Sequence, residues 1–216
     1  MKLAILLYEE MTALDAVGPY EALCHLPEAE VALVAKEAGP IHAEGGPLQL
    51  VADASLSEVG DPDVLLVPGG RGTFALRDDA EVLDWLREVD RGTTWTTSVC
   101  SGSMVLGYAG LLDGKRATTH WAWLDSLAEL GAEPVSERVV EDGKLITAAG
   151  VSSGIDMALT LAERLAGRDM AEAIQLGIEY DPDPPFDSGS PRTARPELVE
   201  LVRTVMAGQG MAPERE

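Results

Sequence analysis

Cysteine is scarce in this chain of 216 residues: two occur, Cys24 and Cys100. Two thiols make no disulfide framework, so the expected compartment is a reducing, cytoplasmic one. Positive charge is scarce as well, with 16 Lys and Arg against 37 Asp and Glu, a formal net charge of −21. That excess of acid argues against electrostatic binding to nucleic acid or to an anionic membrane. Long apolar runs are missing. Nothing approaches the ~18 residues of a membrane helix. The N-terminal run in MKLAILLYEEM stops at Tyr8-Glu9-Glu10, short of the roughly 7–15 apolar residues and the cleavage site of a secretory leader. Internal repeats, low-complexity tracts and a dividing linker are absent too. The histidines His25 and His42 show no metal-ligand spacing.

What is present reads as a packed protein. Apolar residues make up 46% and charged residues 25%, both ordinary for a globular chain. The length suits one domain spanning 1–216, in which 191–216 forms a terminal helix and tail. Short apolar runs alternate with helical segments. Strands are expected at Lys2–Leu7, Glu30–Ala35, Asp63–Val67 and Thr93–Val99, with a hairpin around Gly45-Gly46-Pro47. Helices are expected at Leu14–Leu26, Ala80–Arg91, Ser101–Gly110, Trp121–Leu130, Ser153–Leu165, Asp169–Glu179 and Pro196–Met206. A further strand pair, Val135–Val140 and Lys144–Ala149, turns at Asp142-Gly143. In the first helix, Val17, Tyr20, Leu23 and Cys24 are expected to form the buried face. The alternation implies an α/β fold, a mostly parallel sheet covered on both faces. Sites in such sheets form at the carboxyl ends of strands, here just after Leu7, Val67 and Val99.

Cys100 closes the last of those strands and opens a helix, in the segment TWTTSVCSGSMVLGYAGLL. Strand, nucleophile, small residues and helix make the shape of a nucleophile elbow. Free cysteine is also among the most buried residues, so a core thiol is the competing reading. The helix amides after Cys100 are expected to lower its pKa. Its surroundings in sequence point the same way, because residues 61–120 carry a net charge of −3 (6 − 9) against −8 (2 − 10) for residues 1–60. Gly69, Gly70 and Gly72 follow the third strand, where glycine lets backbone amides approach a substrate. The amide of Gly70, with that of Ser101, is expected to form an oxyanion hole; a plain tight loop is the alternative. Asp15, near a helix start, is open to two readings: a capping residue, or an acid–base group raised in pKa beside the thiol. His120 is open to two as well, a base for Cys100 or a packed histidine beside Trp121 and Trp123.

Several segments together carry a resemblance: LDAVGPYEAL, VLLVPGG, SVCSGSMVLGYAGLLDGKRATTHW, ITAAGVSSGIDMAL and IQLGIEYDPDPPFDSGSP. The chain resembles the ThiJ/PfpI superfamily from about Leu3 to Pro191, and within it the isonitrile (isocyanide) hydratase branch. The resemblance implies a flavodoxin-like three-layer α/β sandwich and a homodimer. It implies Cys100 as nucleophile, Asp15 as the carboxyl group beside it, and the Gly70 and Ser101 amides as binders of developing negative charge, with Gly69 and His120 lining the site. The branch usually has threonine after the cysteine. Ser101 keeps that hydroxyl and lacks the methyl that fixes its rotamer.

The implied activity is hydration of a small isonitrile to an N-substituted formamide, with no metal or organic cofactor. Two other readings remain open on the same thiol. One is a glyoxalase- or amidase-type enzyme, which would want His120 within reach of the sulfur. The other is a non-enzymatic redox or stress-response protein in which Cys100 is oxidised. Relatives also occur fused to DNA-binding modules. About one helix follows Pro191 here, too little for such a module.

Overall fold

The computed structural model describes residues 1–208; residues 209–216, the end of the expected terminal tail, lie outside the described residues. In chain order the elements are β1 (Lys2–Leu6), α1 (Ala13–Leu23), β2 (Glu30–Ala35), β3 (Gly39–His42), β4 (Gln49–Ala52), β5 (Ala54–Ser55) and β6 (Val64–Val67). There follow α2 (Ala80–Gly92), β7 (Trp95–Val99), α3 (Gly102–Tyr108), β8 (Arg116–Ala117), α4 (Ser126–Glu129) and β9 (Glu133–Pro134). The last are β10 (Val139–Asp142), β11 (Leu145–Ala148), α5 (Ser153–Ala166), α6 (Arg168–Gly177) and α7 (Pro196–Gly208). The chain divides into two compact units, Met1–Ile178 and a second beginning at Glu179. The second holds α7, in which no residue is buried.

The first unit is built on a seven-stranded sheet in the order β10-β11-β7-β6-β1-β2-β5. Every neighbouring pair is parallel except β10 with β11. Strands β1 and β6 read as unbroken apolar runs, buried from Leu3 to Leu6 and from Val64 to Val67, as strands covered on both faces must be. From β1 the chain steps outward to β2, and from β6 it steps the other way to β7. Right-handed crossovers then put α1 and α2 on opposite faces of the sheet. The order reverses between β1 and β6, and a crevice opens there at the carboxyl ends of the strands.

Local chemistry accounts for the helices. In α2, Val82, Leu83, Trp85, Leu86 and Val89 are buried at helical spacing, and the Asp79 side chain caps the N-terminus by accepting from the Val82 amide at 3.3 Å. Small residues let α1 pack on α5. A Cβ added to Gly154 would lie 3.1 Å from Pro19 Cγ and from Val99 Cγ2, and one on Gly18 would lie 3.2 Å from Ile155 Cγ1.

Three expectations about local structure need correction. The buried face of α1 is Asp15, Ala16, Gly18, Pro19, Ala22 and Leu23, while Val17 and Tyr20 are 39% and 37% exposed. The helix turns its small residues inward because α5 leaves no room for larger ones. Cys24 is accordingly half-buried at the end of the helix. The segment Trp121–Leu130 is not one helix: a 3-10 turn at Trp121–Trp123 is followed by α4. Finally, strand β10 begins at Val139 rather than Val135.

Leu65 is fully buried in β6, between β1 and β7. Leu65→Ala is expected to lower unfolding free energy by about 2–5 kcal/mol in urea titrations, the range for a buried leucine whose site cannot collapse.

Candidate active site

Three loops meet at the crevice: Tyr8–Thr12 after β1, Pro68–Arg71 after β6, and Cys100 after β7. Cys100 has φ +57°, in the left-handed region, where a non-glycine residue is held only by its surroundings. Those surroundings are dense. The Cys100 amide donates to the carbonyls of Ala148 and Ala149 at 3.1 and 2.9 Å. Its carbonyl accepts from Thr119 Oγ1 at 2.8 Å and from Ser103 Oγ at 3.2 Å. The chain then enters α3 directly through Ser101.

The glycine loop lies against this turn. A Cβ on Gly69 would stand 2.5 Å from Ser101 N, 2.6 Å from Ser101 Oγ and 2.9 Å from Cys100 Cβ. Only glycine fits there. On Gly102 a Cβ would overlap the Val67 carbonyl oxygen. Through this approach the Gly69 amide reaches Asp15 Oδ2 at 2.9 Å, and the Gly69 carbonyl accepts from the Thr12 amide at 2.8 Å.

Asp15 is fully buried. Its side chain caps no helix amide; it faces the Gly69 amide and the Cys100 thiol. Burial raises its pKa to about 7, with the nearby Glu44 carboxylate adding to the rise and the Gly69 N–H opposing it. Among the described residues Oδ1 has no hydrogen-bond partner. When Asp15 is protonated, Oδ2 goes on accepting from Gly69, so the proton sits on Oδ1.

The thiol does not behave as its sequence neighbourhood suggested. Burial, and then the Asp15 carboxylate, push the Cys100 pKa well up, while N–H groups of Val151 and Ser101 directed at the sulfur oppose this. The expected lowering by helix amides is real in direction and outweighed in size. The charge argument fails for a different reason. The groups that face the sulfur, Asp15 and Glu44, come from the strongly acidic first sixty residues. Nearness along the chain says nothing about nearness across the crevice. Together the carboxyl and the thiol hold at least one proton at neutral pH.

The remaining expected residues are placed as follows. The Gly70 amide donates to Ser101 Oγ at 3.0 Å, so it is not the free oxyanion donor that was expected; its neighbour Gly69 spends its amide on Asp15. The Ser101 amide is directed at the Cys100 sulfur. His120 makes no hydrogen bond to Cys100 among the described residues. Its Nδ1 accepts from the Ala122 amide at 3.3 Å, and its ring packs, tilted, with centroids 5.4 Å from Trp121 and 5.2 Å from Trp123. Burial lowers its pKa to about 4, so it is a neutral, packed imidazole. Among the described residues no three His, Cys, Asp or Glu side chains are grouped to hold a metal ion, and no helix is long and apolar enough to cross a membrane.

Four residues of the site were not singled out in the sequence. Tyr8 donates to the Pro68 carbonyl at 2.6 Å, and Thr73 lies 3.1 Å from Tyr8 Oη and 2.9 Å from Ser101 Oγ. Glu44 accepts from Thr12 Oγ1 at 2.5 Å and from the Arg71 amide at 3.0 Å. Val151, at φ +24°, aims its amide at the sulfur. Tyr8 had a signal, because it directly follows the first strand. Glu44 and Val151 had none, since each arrives from a distant stretch of chain.

Residues 1–164 fit the DJ-1/PfpI family, and the chain belongs to that family. It is 48% identical to the isonitrile hydratase of Pseudomonas putida over 203 residues, 94% of this chain and 89% of that one. It is 33% identical to the HTH-type transcriptional regulator CdhR of Pseudomonas aeruginosa over 68% of this chain and 44% of the regulator. Among solved structures, a ThiJ/PfpI family protein from Pseudomonas syringae superposes with a TM-score of 0.93 at 41% identity, covering 96% of this chain and 86% of that one. The expected three-layer α/β fold with its mostly parallel sheet is thus the fold of the family.

The raised pKa of Asp15 makes a prediction about stability. Above its unfolded value of about 3.9 the folded protein holds this proton and the unfolded chain does not. Stability from this group therefore falls as pH rises from about 4 through 7. Asp15→Asn removes the buried charge and keeps an acceptor for Gly69. Its melting temperature is expected to exceed that of wild type by several degrees at pH 8, with the gap closing at pH 5, in calorimetric scans.

Proposed function

We propose that this protein is an isonitrile hydratase, a cofactor-independent enzyme in which Cys100 is the nucleophile and Asp15 the acid–base group. The observation that carries the reading is the buried pairing of Asp15 with Cys100, a carboxyl that interacts with a thiol held at a strained turn. The 48% identity to the Pseudomonas putida isonitrile hydratase over most of both chains supports it.

The reaction follows from one mobile proton. When that proton passes from the Cys100 thiol to Asp15 Oδ1, the sulfur becomes a thiolate that accepts from the Ser101 and Val151 amides. Sulfur attacks the terminal isonitrile carbon, forming the S–C bond, and the Asp15 proton goes to the same carbon. The product is a thioimidate, R–N=CH–S–Cys100, beside an Asp15 carboxylate. Water then adds to the thioimidate carbon. Asp15 takes a proton from the water and returns it to the nitrogen. Loss of the hydroxyl proton to Asp15 and expulsion of the Cys100 thiolate release R–NH–CHO and restore the starting pair. One isonitrile and one water become one formamide, with no electrons gained or lost. This is nucleophilic and general acid–base catalysis by two residues.

The other readings draw less support. A Cys–His enzyme needs a histidine on the sulfur, and His120 is spent on Ala122 and the tryptophans. An oxidisable sensor would draw on the same thiolate, and the 48% identity to the Pseudomonas putida isonitrile hydratase favours the enzyme. For the assembly we favour a homodimer in the cytoplasm. Both cysteines are free, and Leu14, Val17 and Tyr20 lie exposed along α1, a row of apolar side chains suited to a second copy.

An aryl isonitrile incubated with the protein is expected to yield the formamide, followed by its infrared or chromatographic signature. Cys100→Ala is expected to abolish turnover, and Asp15→Asn to reduce kcat by at least about a hundredfold. Unchanged turnover in the alanine variant would sink the proposal.

A further inference from the structure

One set of contacts in the site is unused by this mechanism. Tyr8, Thr73 and Ser101 are buried hydroxyl residues, 7%, 0% and 3% exposed, drawn from the loop after β1, from the 3-10 segment Arg71–Asp78 and from the turn after Cys100. Their oxygens form a line, at 3.1 Å from Tyr8 to Thr73 and 2.9 Å from Thr73 to Ser101. Either partner of each contact is able to donate, but the two ends of the line fix the direction. At one end the Pro68 carbonyl accepts from Tyr8 at 2.6 Å and has no proton to give. At the other the Gly70 amide donates to Ser101 Oγ at 3.0 Å and has no lone pair to offer.

A hydroxyl has one proton. Tyr8 gives its proton to Pro68, so toward Thr73 it accepts. Thr73 gives its proton to Tyr8, so toward Ser101 it accepts. Ser101 gives its proton to Thr73 and accepts from Gly70. The alternative for Ser101, donating to the Gly70 carbonyl, spans 3.4 Å and loses to the 2.9 Å contact. The relay therefore runs one way, from the Gly70 amide through Ser101, Thr73 and Tyr8 to the Pro68 carbonyl. It begins and ends in the same three residues, and each bond polarises the next.

We infer that Thr73 is a positioning residue, the link of a one-way hydroxyl relay that clamps Pro68 and Gly70 and so aims the Gly69 amide at Asp15. Gly69 is the middle residue of the clamped loop, and its N–H lies 2.9 Å from Asp15 Oδ2. This bond decides which carboxyl oxygen is left to carry the proton. The relay also explains how Ser101 works without the methyl of a threonine. Its rotamer is held by an acceptor on one side and a donor on the other. The inference rests on the hydratase reading for its kinetic consequence, and on geometry alone for its effect on the loop.

Thr73→Val keeps the shape and removes the hydroxyl; Thr73→Ser keeps the hydroxyl and removes the methyl. Two readouts separate the claims. Amide hydrogen exchange of Gly69 and Gly70, followed by NMR, needs no substrate. Protection of both amides is expected to fall at least about tenfold in the valine variant and to stay within about twofold of wild type in the serine variant. In turnover of an aryl isonitrile, Thr73→Val is expected to lower kcat at least about tenfold with KM within about twofold, and Thr73→Ser to restore kcat. Unchanged exchange and unchanged kcat in Thr73→Val would overturn the relay. Equal losses in both variants would overturn it too, since packing of the methyl would then be the cause. Wild-type protein that hydrates no isonitrile, with the exchange pattern as expected, would overturn the hydratase reading and leave the relay standing.

Discussion

The site depends on one close approach, that of the Gly69 backbone to the turn at Cys100 and Ser101. No Cβ fits between them. Because the loop after β6 comes this near, its amide reaches the Asp15 carboxylate from one side while the Cys100 thiol faces that carboxylate from another. The requirement propagates outward. The turn at Cys100 must hold a left-handed conformation, and the carbonyls of Ala148 and Ala149 with the hydroxyls of Thr119 and Ser103 hold it. The loop itself must be fixed, and the buried hydroxyls of Tyr8, Thr73 and Ser101 close around it.

Energetically the site opposes the fold it sits in. A buried carboxyl with an unpartnered oxygen, and non-glycine residues at positive φ at Cys100 and Val151, each cost stability. The surrounding sheet carries them. Strands β1, β6 and β7 bury nearly every residue, and apolar burial on that scale outweighs a few strained groups. The same burial that makes the carboxyl costly also raises its proton affinity. Desolvation brings the carboxyl to a pKa of about 7, where a general acid–base group works best near neutral pH.

The fold was largely legible in the sequence because its signals are local. Apolar runs bounded by glycine and proline marked the strands of the parallel sheet, and Cys100 followed the last of its central strands as expected. Errors arose where packing overrides local pattern. Val17 and Tyr20 looked like a buried face, but α5 accepts only small residues against α1, so Gly18 and Pro19 turn inward instead. Asp15 carried two readings that sequence was unable to separate. In the structure its side chain accepts from the Gly69 amide and caps no helix amide, which leaves the capping role unfilled. His120 likewise carried two readings, and in the structure its ring packs, tilted, against two tryptophans.

By itself, then, the sequence determined the alternation of strands and helices, the parallel sheet and the placing of a thiol at a strand end, since each follows from residue types within a few positions. Tertiary structure alone decided the state of that thiol. Its pKa is set by groups that arrive from elsewhere in the chain: Asp15 on the first helix, Glu44 on a hairpin loop, Val151 beyond the last strand of the sheet. Electrostatic and desolvation effects act through space, and no window of sequence contains the distances on which they depend.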